Sequence, residues 1–303
     1  LTTRLNLRIG ETRLALDLGQ LPPATLDDVM RRYAAFVENT TFVENTAFVE
    51  NTAFVENTAF VENTAFVGST VPAVEDSAFR VGVSVRPGAF WLPLRVDAAL
   101  PLRTRRRGHR VFCLTPTEAG CFDLARRCGR IVLRPHGNIE NCLRVLVGWD
   151  VAERGGLLLH AAGVVRAKGA FVFFGPSGAG KSTVARLSAH WPVLSDDLVL
   201  IERTPAGYQA CGVPFRGNEW TAPRLNTRAP LAGLLALEQA PHHARAPMSH
   251  SAGAARLVAC TPFVTTCTHG AATVMGAALA LTAATPVARL QFRKDDQFWE
   301  VLQ

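Results

Sequence analysis

"FFGPSGAGKST", residues 173–183, sets three glycines, one lysine and three hydroxyl side chains into a single turn straight after an apolar run. Gly175, Gly180, Lys181 and Ser182 satisfy the spacing G-x-x-x-x-G-K-[ST]. Glycines let the backbone curl so that successive N–H groups turn inward, and a helix start adds positive potential, so such a turn cradles phosphate oxygens. The cradle is assigned to Gly175, Ser177, Gly178, Ala179, Gly180, Lys181, Ser182 and Thr183. Lys181 is expected to reach the β- and γ-phosphates with no other lysine nearby to share the task, and the Ser182 hydroxyl to join a Mg2+ shell. The ligands expected are therefore ATP and Mg2+.

On either side of this turn the patterning alternates between strand and helix. "LLLHAAGVV" (157–165) and "AFVFFG" (170–175) read as two apolar strands around the short turn "RAKG". "KSTVARLSAHW" (181–191) reads as the following helix, and "VLSDDLVLIER" (193–203) as a strand, a polar turn and a strand. Asp196 and Asp197 sit in that polar turn. Adjacent carboxylates at a strand end can divide their labour, one holding Mg2+ and one accepting the proton of an attacking hydroxyl. An isolated Asp-Asp pair is more often a solvated acidic turn; behind a phosphate loop and an apolar strand it becomes a candidate site. His160 stands near the end of the strand that precedes the loop strand, a place where histidine taken alone is more often a core residue.

In register, "LLLHAAGVV", "AFVFFGPSGAGKSTVAR" and "VLSDDLVLI" resemble the C-terminal catalytic domain of the HPr serine kinase/phosphorylase family, over residues 155–303. The resemblance implies an α/β fold with a P-loop-containing, phosphoenolpyruvate carboxykinase-related catalytic domain that uses Mg-ATP and a serine hydroxyl on a protein. It implies Asp196 as the proton-accepting base, Asp197 as a Mg2+ ligand beside Ser182, and His160 as a polar group near the γ-phosphate or the base. "GVPFRGNEW" (212–220) lies where a later active-site loop would fall but does not match the second glycine-rich signature of the bifunctional enzymes. Its Arg216 is a candidate for stabilising the transferring phosphoryl charge. The implied function is an ATP-dependent, serine kinase-like phosphotransferase acting on a hydroxyl of a protein or peptide. Two rivals stand beside it: a tailoring kinase for a ribosomal peptide, and a non-catalytic ATP-binding regulatory module. The paired carboxylates favour transfer, since a binding module needs no base.

Residues 1–154 read as a smaller α+β N-terminal region, parted from the catalytic domain at Gly155-Gly156. Two alternating segments, "RLNLRI" and "TRLALDL", form a β-hairpin, and "TLDDVMRRYAAF" a short helix capped by Thr25 with its acidic residues in the first turn. From Phe36 to Thr70 five copies of "FVENT" and one "FVGST" follow in hexamer spacing. A period of six fits neither a helical stripe nor one strand face, so the array is read as a tandem duplication tolerated outside the core, with an extended helix or strand ribbon as the alternative. "FRVGVSV", "FWLPLRV" (90–96) and "RVFCLT" read as strands, and "NIENCLRVLVGWDVAER" as an amphipathic helix.

The net charge of +7 is carried by arginine, because Lys168, Lys181 and Lys294 are the only lysines. The densest cluster, "LRTRRRGHR" (102–110), lacks interleaved aromatics and reads as a solvated loop, so no nucleic-acid partner is expected. The stretch at 270–287 is too rich in Ala, Gly and Thr for a membrane span and reads as a buried helix. The charged, alternating opening is not the pattern of a secretory signal, and a cytoplasmic protein is expected. Seven cysteines without a C-x-x-C pair argue for reduced, packed thiols. The expected partner is the protein or peptide phosphoacceptor, with a homo-oligomer left open.

Overall fold

The computed structural model describes residues 2–43, 78–87, 102–215 and 225–302. The chain divides into two compact units: Leu1–Arg8 with Arg13–Leu143, and Ile9–Thr12 with Arg144–Gln303. Both are built on mixed β-sheets with helices, an α/β architecture.

In the first unit β1 (Thr2–Ile9) and β2 (Thr12–Gln20) alternate as the sequence suggests, burying Leu5, Leu7, Leu14, Leu16 and Leu18. The helix α1 (Pro23–Tyr33) starts two residues before Thr25, which is therefore no cap. Pro23 opens it instead, where a missing N–H costs nothing. Asp28 consequently lies beyond the first turn and pairs with Arg31 and Arg32. The hexamer array does not begin outside the core: Phe36 is fully buried, and β3 (Val37–Val43) pairs antiparallel with β1. The copies beyond Val43, and the strand expected at 90–96, lie outside the described residues.

β4 (Phe79–Val85) runs parallel to both β2 and β8 (Cys128–Leu133). β5 (Arg103–Arg107), β6 (Arg110–Leu114) and β7 (Glu118–Asp123) complete an antiparallel meander with β8, giving the order β3-β1-β2-β4-β8-β7-β6-β5. The arginine cluster is thus a β-hairpin and not a loop. Gly108, at φ +55°, supplies the left-handed turn, and Arg103, Arg105 and Arg107 alternate outward. All seven cysteines are free thiols.

The second unit takes most of α2 (Glu140–Glu153), which passes from one unit to the other at Leu143/Arg144; the Gly155-Gly156 boundary lies at the end of this helix. β9 (Leu157–Arg166) is long and shared. Its first half pairs with β12 (Leu198–Thr204), and its second half pairs with β10 (Gly169–Phe174) on one edge and β11 (Val193–Ser195) on the other. β13 (Gly207–Cys211) joins β12 to the start of β14 (Arg228–Gln239). Further along, β14 runs parallel to β10 and to β16 (Val287–Phe292), whose other edge takes β15 (Ala244–Pro247).

Both β10 and β11 are antiparallel to β9, so β11, β10, β14 and β16 all point the same way. The helix α3 (Lys181–Leu187) stops four residues short of the expected Trp191, while α4 (His250–Ala259) and α5 (Thr268–Ala284) are the Ala-rich pair. α5 buries only one face, leaving Met275 and Leu279 exposed. Among the described residues no helix is long and apolar enough to cross a membrane. Phe173, Phe292, Phe298 and Trp299 pack together in one core cluster, mostly edge to face. Each contributes about 2–3 kcal/mol by burial, and together they support the glycine-rich loop from below.

Candidate active site

β10 is buried along its whole length and ends at Phe174; the glycine-rich loop follows, and α3 starts at Lys181. Gly178 and Gly180 take φ +78° and +110°, values that L side chains avoid. A Cβ on Gly180 would stand 2.5 Å from the Phe292 ring, so glycine is required there both by conformation and by space. Lys181 curls back over the loop, and its Nζ donates to the carbonyls of Gly175 and Pro176, each at 3.0 Å. Burial pulls its pKa below the ordinary lysine value, which the nearby Cys260 and Asp197 partly offset.

The carboxylate pair is held by a different set of forces. After β11, the Ser195 hydroxyl accepts from the N–H groups of Asp197 and Leu198, each at 3.2 Å, which fixes the turn. Leu198 stands opposite His160 in the β9–β12 register, so His160 meets the turn directly. Asp197 Oδ1 is 3.3 Å from His160 Nε2, and Asp197 Oδ2 is 3.4 Å from Arg144 Nη2 on α2. Burial pushes the Asp197 carboxyl up, but the His160 hydrogen bond and the charges of Arg144, His160 and Lys181 outweigh it and hold the pKa below the ordinary carboxylate value. Asp196 is buried.

These elements converge on one cavity of about 520 Å³. Of the residues singled out in the sequence, His160, Ser177, Gly178, Gly180, Lys181, Ser182, Thr183, Asp196 and Asp197 line it. Gly175 and Ala179 do not line it; they pack beneath, where a Cβ on Gly175 would approach the Ala179 methyl to 2.9 Å. Arg216 lies outside the described residues.

Four residues escaped the sequence reading. Arg186, Gln239 and Lys294 also line the cavity, and Arg144 braces Asp197. Gln239, at the end of β14, donates from Nε2 to the Gly178 carbonyl at 2.6 Å and ties down the loop tip. The expectation that no second lysine stands near the loop is corrected by Lys294, which follows β16 and reaches the same cavity. It is 113 residues from Lys181 along the chain, and only the parallel pairing of β14 with β16 brings it there. Arg144 carried a faint signal as a lone cation within the apolar run "CLRVLVGW".

The oxygen donors of Ser182, Asp196 and Asp197 suit a hard cation such as Mg2+. Among the described residues no group of three or more His, Cys, Asp or Glu is placed to hold a metal by itself. Cations, backbone amides and carboxylates around one opening can receive a phosphate chain and activate a hydroxyl beside it. Residues 138–303 match the family model of SynChlorMet cassette protein ScmC. The match spans more than half of the chain and every cavity residue, and the chain belongs to this family. No curated protein matches it.

Proposed function

We propose that this ScmC-family chain is an ATP-dependent kinase that transfers the γ-phosphoryl group to a hydroxyl of a protein or peptide, through a P-loop domain of the HPr serine kinase type. One observation carries the reading: the glycine-rich loop and the Asp196–Asp197 turn, on different strands, face one cavity with His160 between them. A module that only binds Mg-ATP can use one carboxylate for the metal but needs no second one as a base.

In this reading Lys181 and the loop amides bind the phosphates, exchanging the carbonyl contacts of Gly175 and Pro176 for phosphate oxygens. Mg2+, held by Ser182 and Asp197, would supply positive charge to offset that of the phosphates. Arg144 and His160 orient Asp197 and keep it ionised. Asp196 takes the proton of the acceptor hydroxyl as its oxygen bonds to the γ-phosphorus and the bond to the ADP oxygen breaks.

The family description names a cassette protein, which makes the products of neighbouring genes the first acceptors to try. Purified chain, γ-labelled ATP and Mg2+ are incubated with each neighbouring protein or peptide. Label that appears on one of them, and disappears with Lys181→Ala and Asp196→Asn, supports the kinase. Labelling of a short unfolded peptide points to a ribosomal-peptide tailoring kinase. Tight ATP binding with no label on any neighbour favours the regulatory module.

A further inference from the structure

Across the parallel part of the sheet the strands run β11-β9-β10-β14-β16. The carboxyl ends of β11, β10, β14 and β16 lie on one edge, the position where open α/β sheets take ligands. They carry Asp196 and Asp197, the glycine-rich loop, Gln239 and Lys294 respectively. The carboxylates and Lys294 therefore flank the loop, each about two strand spacings, roughly 10 Å, from it.

Lys294 is delivered to this place by a braced segment. Phe292, two residues before it, packs under Gly180. On its other side Asp295 accepts from Arg293 Nε and from the Gln297 N–H, and meets His243 Nε2 at 2.7 Å. Both neighbours of Lys294 are thus engaged with one another, while among the described residues Lys294 itself makes no ion pair or hydrogen bond. Lys294 lines the cavity, and the strand order sets it across the loop from the carboxylates.

We infer that Lys294 holds the nucleoside-proximal phosphate of ATP or ADP, and that the phosphate chain lies along the sheet edge with its terminal phosphate toward Asp196 and Asp197; this rests on the kinase reading above. The direction follows from the chemistry. The transferred group has to meet the wall where a proton acceptor stands, so the other end of the chain falls toward β14 and β16. There Lys294 meets a phosphate that is unchanged between ground and transition states.

Calorimetry on the full chain with Mg-ATP and Mg-ADP tests this. Lys294→Met is expected to raise both dissociation constants by the same factor, about tenfold for one charge-assisted contact, and Lys294→Arg to recover most of the loss. In the transfer assay KM for ATP rises about tenfold while kcat changes little, the pattern for a contact made equally in both states. Weakened ATP binding with unaltered ADP binding would put Lys294 at the transfer end and overturn the inference. Unaltered affinity for both nucleotides, with the parent chain binding normally, overturns the Lys294 assignment alone. A parent chain that binds neither nucleotide removes the kinase reading, and this inference with it.

Discussion

Asp197 is gripped from two sides: Oδ1 stands 3.3 Å from His160 Nε2 and Oδ2 stands 3.4 Å from Arg144 Nη2. Its neighbour Asp196 lines the same cavity. Asp197 is thus held in one orientation, and the roles proposed for the two carboxylates, metal ligand for Asp197 and base for Asp196, are separate.

Those roles are distinguishable by isosteric change. Asp196→Asn keeps the shape and removes the proton acceptor, so nucleotide binding should survive while transfer falls by about two orders of magnitude or more. Asp197→Asn should instead raise the Mg2+ concentration needed for half-maximal rate, with partial rescue by excess metal. Titrating Mg2+ in both variants checks the division; exchanged phenotypes would exchange the two assignments.

Arg144 stands, after the His160 hydrogen bond, among the groups that lower the pKa of Asp197. It helps hold Asp197 below the ordinary carboxylate value of 3.8, so Arg144→Gln lets that pKa rise and should move the acid limb of the rate profile to higher pH. The stability contribution has a matching sign. A depressed native pKa gives stability that is present above the unfolded value and is lost as pH falls through the native one. Denaturation of Asp197→Asn should therefore show less loss than the parent on acidification below pH 3.8. An unmoved rate profile in Arg144→Gln would remove Arg144 from the site.

Gly180→Ala adds a methyl at φ +110° and 2.5 Å from Phe292 Cζ. Strain of this kind costs about 1–3 kcal/mol, and nucleotide affinity should drop with it because the loop must shift. Phe292→Leu relieves the collision without relieving the dihedral strain. The double variant, measured by urea denaturation, should thus lose less stability than the sum of the two single changes.

Arg154 closes a polar cluster in the second unit. Its Nη2 donates to Asp150 Oδ2 at 3.0 Å, to Thr12 Oγ1 at 2.9 Å and to Glu202 Oε1 at 3.3 Å. Asp150 and Glu202 are both buried. Arg154→Met leaves two buried carboxylates short of a cation and should cost about 3 kcal/mol, read from the urea midpoint. Adding Glu202→Gln should restore part of that loss.

By itself the sequence determined whatever depends on residues close together along the chain. The glycine-rich turn was legible because Gly178 and Gly180 must supply left-handed backbone, and only a few neighbouring residues decide that. The Asp196–Asp197 turn was legible because apolar runs bracket it, and the buried strands β9 and β10 declared themselves by length and composition. The first helix starts at Pro23 and not after Thr25, because two N-terminal signals compete within one turn. The arginine run reads as a loop in sequence because its alternation cannot reveal the β6 partner that makes it a strand.

Tertiary structure alone decided which distant groups share the cavity. Lys294 and Gln239 arrive through parallel pairings of β14 with β10 and β16, whose partners lie 61–62 and 53 residues apart along the chain. Arg144 arrives on a helix, between Leu143 and Val145 in an apolar run. Hydrophobic periodicity says that a segment is buried, but many strand orders bury the same surface. Which strand lies beside which is set by the packing of the whole unit, and so the carboxylates fall on one side of the loop and Lys294 on the other.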